Sequence, residues 1–207
     1  MRKLKSRSKR IGIYSGTFNP VHTGHITFAL QAIEEAKLDK IYFLPERKPR
    51  NKSQVEHFAH RVAMIKQAIR PHPKFNIIEL TDPSFSVKSS LPKLQAIFPN
   101  DQLVFLIGSD AALHMNSWPN IEKLLRSSEL VIGLRDSVQK DLFENGKLRL
   151  LNKSKKAHLI NCYLPNISST KVREALVNQV EVKGILKSVK NYSNKNWLYI
   201  SLSVDNK

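Results

Sequence analysis

The stretch Gly16-Thr17-Phe18-Asn19-Pro20-Val21-His22-Thr23-Gly24-His25 joins an apolar run to a helical one through a Gly/Pro turn. Upstream, Ile11, Gly12, Ile13 and Tyr14 form the short apolar run of a strand buried in a parallel sheet. Downstream, Ile26, Phe28, Ala29, Leu30, Ala32 and Ile33 keep helical spacing. A strand-to-helix crossing offers an anion the helix's first free N–H groups and its positive dipole end, and Gly24 has no side chain to hold phosphate oxygens away. His22 and His25, three apart, share a face and can hydrogen-bond phosphate or stabilise charge on a departing pyrophosphate. The stretch reads as a triphosphate-binding site, with an ordinary polar helix start as the plain alternative.

Working outward, apolar strands are expected near 11–15, 40–45, 75–80, 103–108, 129–134 and 158–163. Helical patterns alternate with them near 24–37, 53–70, 86–98, 119–127 and 169–178. Such alternation predicts a Rossmann-like, doubly wound α/β fold, with a mainly parallel sheet, helices on both faces and ligands at the carboxyl ends of the strands. A GxGxxG fingerprint is absent, so this phosphate cradle is not the one used for hydride transfer. With 207 residues, 41% of them hydrophobic, and no internal repeat, a single domain over 10–207 is expected, including a C-terminal helical region. Residues 1–9 read as a basic arm in front of it.

His57-Phe58-Ala59-His60 supplies a second HxxH, and His72 and Cys162 are available. Structural zinc takes closely spaced cysteine pairs, however, and one cysteine cannot provide them. No protein-held metal is expected. Cys162 sits in an apolar run, which favours a buried reduced thiol and a cytoplasmic protein; no run is long enough for a membrane span.

Far down the chain, Ile167-Ser168-Ser169-Thr170-Lys171-Val172-Arg173 opens another helical segment, continued by Ala175 and Leu176. Its hydroxyls can cap that helix or point outward, and Arg173 falls on the face of Ser169 and Thr170. Alone it is an ordinary Ser/Thr cap with a solvated arginine.

Together the two motifs resemble the HxGH nucleotidyltransferase superfamily, whose signatures are (G/S)xFxPxHxGH after the first strand and ISSTxxR near the C-terminus. The resemblance is strongest to the bacterial nicotinate-nucleotide adenylyltransferases and spans about residues 10–201. It also takes in the Pro-rich loop Pro45 to Lys52, Arg61-Val62-Ala63-Met64, Pro83-Ser84-Phe85-Ser86, Gly108-Ser109-Asp110, Trp118 and Leu198-Tyr199. The implied reaction has a mononucleotide phosphate attack the α-phosphorus of ATP, giving a dinucleotide and pyrophosphate without a covalent enzyme intermediate. The resemblance implies catalytic roles for His22, His25 and Arg173, and ATP contacts from Gly16, Thr17, Phe18, Gly24, Gly108, Asp110, Ile167, Ser168 and Ser169. Thr17, Lys52, Ser86, Asp110 and Trp118 would meet nicotinate mononucleotide, Trp118 by stacking on the pyridine ring. Magnesium (Mg2+) would arrive through the ATP phosphates.

The chain departs from that family at three positions. Asn19 replaces the commoner aspartate, Asn51 stands where the loop usually has histidine, and Pro119 follows Trp118 where a backbone N–H commonly helps hold the nicotinate carboxylate. Nicotinamide mononucleotide or another phosphorylated acceptor is therefore the runner-up substrate. A different class of reading starts from charge. Thirty-four Lys and Arg stand against 17 acidic residues, a formal net charge of +17. The basic arm can hold nucleic acid electrostatically, although no aromatic residues interleave with it, and the same charge can steer ATP.

Overall fold

The computed structural model describes residues 7–50, 52–134, 154–162, 167–181 and 183–200. Its strands are β1 (Arg10–Gly16), β2 (Lys40–Pro45), β3 (Phe75–Ile77), β4 (Gln102–Gly108), β5 (Glu129–Leu134) and β6 (Ala157–Asn161). All pair in parallel in the order β3-β2-β1-β4-β5-β6. The order reverses at β1, which pairs with β2 on one side and β4 on the other, and the crevice of a doubly wound sheet opens at that point.

The pleat sorts the strand residues onto two cores. Tyr14, Ile41, Phe43, Val104, Leu106 and Val131 face α1 (Thr23–Ala36), α2 (Phe58–Ile69), α6 (Ser169–Val177) and α7 (Lys187–Lys195). Ile11, Ile13, Leu44, Phe105, Ile107 and Ile132 face α3 (Ser90–Ile97), α4 (Ser109–Leu113) and α5 (Ile121–Ser127). Gly12 belongs to the first set, where a Cβ would come within 2.8 Å of Ile41 and 2.9 Å of Leu38. The doubly wound α/β architecture read from the sequence is thus the one observed.

Several boundaries differ from expectation, each for a local reason. α2 starts at Phe58 rather than near 53, because Asn19 bonds the Gln54 carbonyl and the Glu56 N–H and holds that segment as a loop. α3 starts at Ser90 rather than near 86. The Ser86 N–H donates to Ser90 Oγ and the Ser89 N–H to Ser86 Oγ, which makes a turn out of the expected first helical turn. β3 is three residues long, against six expected. Cys162 is half-buried and follows β6 rather than lying within it. α4, a 3-10 turn at Met115–Ser117, and α7 were not anticipated; α7 (KSVKNYSNK) is mostly polar and buries Val189 and Ser193, with Leu186 and Tyr192 packed on the same core at helical spacing. Asn51 lies outside the described residues, as do 1–6 of the basic arm.

At the amino edge of the sheet, Lys9 and Arg10 are part of the fold. The Lys9 N–H donates to Asp101, and the Gln102 N–H donates to the Lys9 carbonyl. The Arg10 guanidinium makes a fork with both Glu129 oxygens at 3.0 and 2.7 Å, donates to the Ala36 carbonyl, and so spans β4 to tie β1 to β5. His158 lies 3.7 Å from the same carboxylate. The hydrogen bonds from Arg10, and then its charge, hold the Glu129 carboxyl below the usual carboxylate range against the opposing effect of burial. A depressed folded-state pKa gives stability that is present above the unfolded carboxylate value and lost as pH falls through the folded one. Glu129→Gln is therefore expected to lower unfolding free energy by about 1.5–3 kcal/mol at pH 7. Urea denaturation from pH 7 to pH 3 should show the gap to wild type narrowing on the acid side; a gap independent of pH would mean that the charge on Glu129 contributes nothing.

Candidate active site

The carboxyl ends of β1 and β2 lead into loops built from polar residues that bond mainly to one another's backbone. In the first, Phe18 takes φ 49 and is buried, its ring centroid 5.3 Å from Tyr14, 5.5 Å from Phe43 and 5.0 Å from His25. The Phe18 side chain is thus a floor under His25, leaving only its main chain for a ligand. His22 is the extended residue that caps α1, not its first turn, and His25 is the third helical residue. The two rings stack with centroids 3.7 Å apart, and the His22 N–H donates to His25 Nδ1 at 3.2 Å.

One expectation about this helix start is corrected. Its first N–H is not free, since Thr23 donates to the Gly184 carbonyl at 2.9 Å. Protein packing by itself also requires glycine at 24: a Cβ there would lie 2.7 Å from Ile167 and 3.0 Å from the His22 ring. Gly184 has φ +106 and the same crowding against Ile167, so Ile167 is a buried wedge between two glycines.

The second motif is bound to the first. Ser168 caps α6, accepting the Lys171 N–H at 3.2 Å, which is the plain cap reading of that residue. Ser169 Oγ donates to the Pro20 carbonyl at 2.9 Å. Arg173 donates to the Asn19 carbonyl at 2.8 Å and to Thr170 Oγ1 at 3.2 Å, leaving guanidinium donors for a ligand. Residues 149 and 154 positions apart in sequence thereby meet at one loop.

On the other side of β1, a cavity of about 560 Å³ opens between the ends of β1 and β4. Of the residues singled out above, Gly16, Thr17, Lys52, Ser86, Gly108, Trp118 and Pro119 line it. Phe18, His22, Gly24, His25, Asp110, Ile167, Ser168, Ser169 and Arg173 do not; Asp110 is exposed in the first turn of α4, and a Cβ on Gly108 would meet nothing within 4 Å. One wall is aromatic: Phe85 stands between Phe105 and Trp118, with ring centroids 5.4 and 6.4 Å away. Lys52 Nζ donates to Thr17 Oγ1 at 3.0 Å, and the Ser86 hydroxyl is engaged with Ser89 at 2.8 Å. Loss of water around the Lys52 ammonium lowers its pKa; Glu46 opposes the shift, and the charges of Arg173 and Arg61 add to it.

Glu46 and Arg50, read in the sequence only as part of the Pro-rich loop, and Lys88, which the sequence reading missed, also line the cavity. Burial pushes the Glu46 carboxyl above its usual range although Oε1 accepts the Phe85 N–H at 3.2 Å. Arg61 was noticed only as part of a matching segment, yet it is 1% exposed and reaches the Thr17, Glu46, Arg47 and Glu56 carbonyls. An arginine inside the apolar run of α2 was the available signal. His60, by contrast, contacts the Tyr192 hydroxyl at 3.0 Å, which accounts for one half of the second HxxH.

A cytidylyltransferase-like family model matches residues 13–175. The probable nicotinate-nucleotide adenylyltransferase of Carboxydothermus hydrogenoformans is 32% identical over 173 residues, 81% of this chain and 86% of its own length. The nicotinate-nucleotide adenylyltransferase of Bacillus subtilis is 35% identical over 129 residues, 59% of this chain and 68% of that one. Among solved structures, Plasmodium falciparum nicotinic acid mononucleotide adenylyltransferase complexed with NaAD superposes with a TM-score of 0.74 at 25% identity, covering 92% of this chain and 97% of that one. Matched over most of its length by a nucleotidyltransferase model, and sharing a third of its residues with enzymes of one activity, the chain belongs to the nicotinate-nucleotide adenylyltransferase family.

Proposed function

We infer that the chain transfers the adenylyl group of ATP to nicotinate mononucleotide, releasing pyrophosphate and forming nicotinate adenine dinucleotide in NAD biosynthesis. The observation that carries this reading is that two cations are tied to the first loop, Lys52 through Thr17 Oγ1 at 3.0 Å and Arg173 of α6 through the Asn19 carbonyl at 2.8 Å, with Lys52 also lining the aromatic-walled cavity. Such a pair suits two phosphorylated ligands that must be held together despite their own repulsion.

In this reading the nucleotide acceptor fills the cavity, its pyridine ring against Trp118 and its phosphate toward Lys52. ATP lies over the first loop, its α-phosphate beside His22 and His25 and its departing end toward Arg173. Adenylyl transfer asks the protein chiefly for alignment and charge stabilisation; before substrate arrives the two imidazoles are stacked on each other, Arg173 is held by the Asn19 carbonyl and Lys52 by the Thr17 hydroxyl. The acceptor's phosphate oxygen attacks the α-phosphorus in line with the departing pyrophosphate, whose charge the imidazoles and guanidinium take up. The described residues contain no group of three or more His, Cys, Asp or Glu suited to a metal, so magnesium would be held largely by the triphosphate oxygens. Its charge would supplement that of the basic residues. No helix among the described residues is long and apolar enough to cross a membrane, and we assign the reaction to the cytoplasm.

Pyrophosphate release measured with nicotinate mononucleotide, nicotinamide mononucleotide and pantetheine phosphate tests the assignment. The nicotinate compound should give the highest kcat/KM, and preference for either of the others would overturn it. Because Pro119 offers no N–H, Pro119→Tyr should widen the acid-over-amide ratio about tenfold; an unchanged ratio would mean that this backbone position does not read the carboxylate. His25→Ala should lower kcat on the order of a hundredfold while leaving the thermal midpoint within a few degrees. A wild-type rate in that variant would remove His25 from the mechanism. The pH profile follows from the lowered pKa of Lys52. The ammonium is needed in its charged form, so kcat/KM for the acceptor should fall on the alkaline side at a pH below the ordinary lysine value. Lys52→Arg should move that limb upward.

A further inference from the structure

Asn19 is 3% exposed, and its side chain meets three groups from two other parts of the chain. Nδ2 donates to the Gln54 carbonyl at 3.1 Å, and Oδ1 accepts the Glu56 N–H at 3.1 Å and the Tyr199 hydroxyl at 2.8 Å. Its main-chain carbonyl accepts from Arg173 at 2.8 Å, and that of the next residue, Pro20, accepts from Ser169. One residue of the first loop thus touches the segment that follows Lys52, the helix that carries Arg173, and the last described part of the chain.

The geometry points to Asn19 and Tyr199 as a joint that sets the position of Lys52 relative to Arg173, making the C-terminal segment part of the apparatus that aligns the two substrates. This rests on the functional reading above and extends it to two positioning residues. An amide is the side chain that can face a carbonyl with one end and two donors with the other. The tyrosine is fixed in turn: it is 8% exposed with φ 56, on a segment anchored by α7 through Tyr192 to His60 and Ser193 Oγ to Met64 Sδ at 3.6 Å. Burial, reinforced by the nearby Glu56 carboxylate, raises the Tyr199 pKa, so the phenol remains a donor throughout the working range. Replacing its hydroxyl by hydrogen leaves Oδ1 with one bond instead of two, and the 54–56 segment then has a less constrained partner.

The test uses Tyr199→Phe, which removes the hydroxyl and keeps the ring. At 25 °C, with the variant folded by circular dichroism, kcat/KM should fall threefold to tenfold for both ATP and nicotinate mononucleotide. Hydrogen exchange of the Glu56 amide should quicken. In an Asn19→Ala background the same change should have no further effect on kcat/KM, because the joint is already broken. Unchanged rates in folded Tyr199→Phe would overturn the proposal, and so would an additive loss in the double variant. If Asn19→Ala does not fold, the rates and Glu56 exchange of the single variant decide. Should wild type itself fail to transfer adenylate, the functional reading falls, and the joint then stands or falls on Glu56 exchange alone: quickened exchange supports it, unchanged exchange overturns it.

Discussion

The site depends on a cation buried without a carboxylate bonded to it. Arg61, 1% exposed, directs its guanidinium onto main-chain carbonyls: Nε to Glu56 at 2.9 Å, one terminal nitrogen to Thr17 at 2.7 Å, the other to Glu46 at 2.8 Å and Arg47 at 3.3 Å. Burying a charge is costly unless its donors are satisfied, and carbonyl dipoles do that here, with the Phe58 ring 5.5 Å below. Burial lowers the Arg61 pKa from a value high enough that the group stays protonated. The fork fixes four loop carbonyls relative to α2, and from those positions come Thr17, the floor residue Phe18, and the stem of the Lys52 loop.

Because the carbonyls are held by Arg61 and Arg173, the loops carry positive charge on their inner side while their own peptide groups are satisfied. Lys52 is then added against Thr17 rather than against an acid, so its charge is available to a ligand. Glu46 is the one carboxylate among the cavity-lining residues, and it is partly occupied by the Phe85 N–H. The positive field at the crevice is thus a built feature of the topological switch point, separate from the overall charge of +17.

The sheet was legible because buried parallel strands read as uninterrupted apolar runs, and β2 and β5 fall where those runs do. The first motif was legible because its glycines, proline and histidines cluster within ten residues. What escaped the reading was held by contacts distant in sequence. The loop at 53–57 looks helical until Asn19 reaches it, and α7 is a short, mostly polar segment whose few apolar residues gain their meaning only when packed on the core, with Tyr192 and Ser193 bonded to α2. Arg61 carries no local signal of its four carbonyl partners. Gly24 has a further reason invisible in its own segment, a packing constraint set by Ile167, more than 140 residues away.

The account's central claim is that the α-phosphorus of ATP passes to the acceptor while the outer two phosphates leave together. The most direct measurement supplies nicotinate mononucleotide with ATP labelled either at the α- or at the γ-phosphate and follows where each label goes. The account predicts that α-label appears in the dinucleotide and γ-label in pyrophosphate, in equal amounts. Transfer of γ-label to the acceptor, or release of pyrophosphate with α-label left in free adenylate, would contradict it.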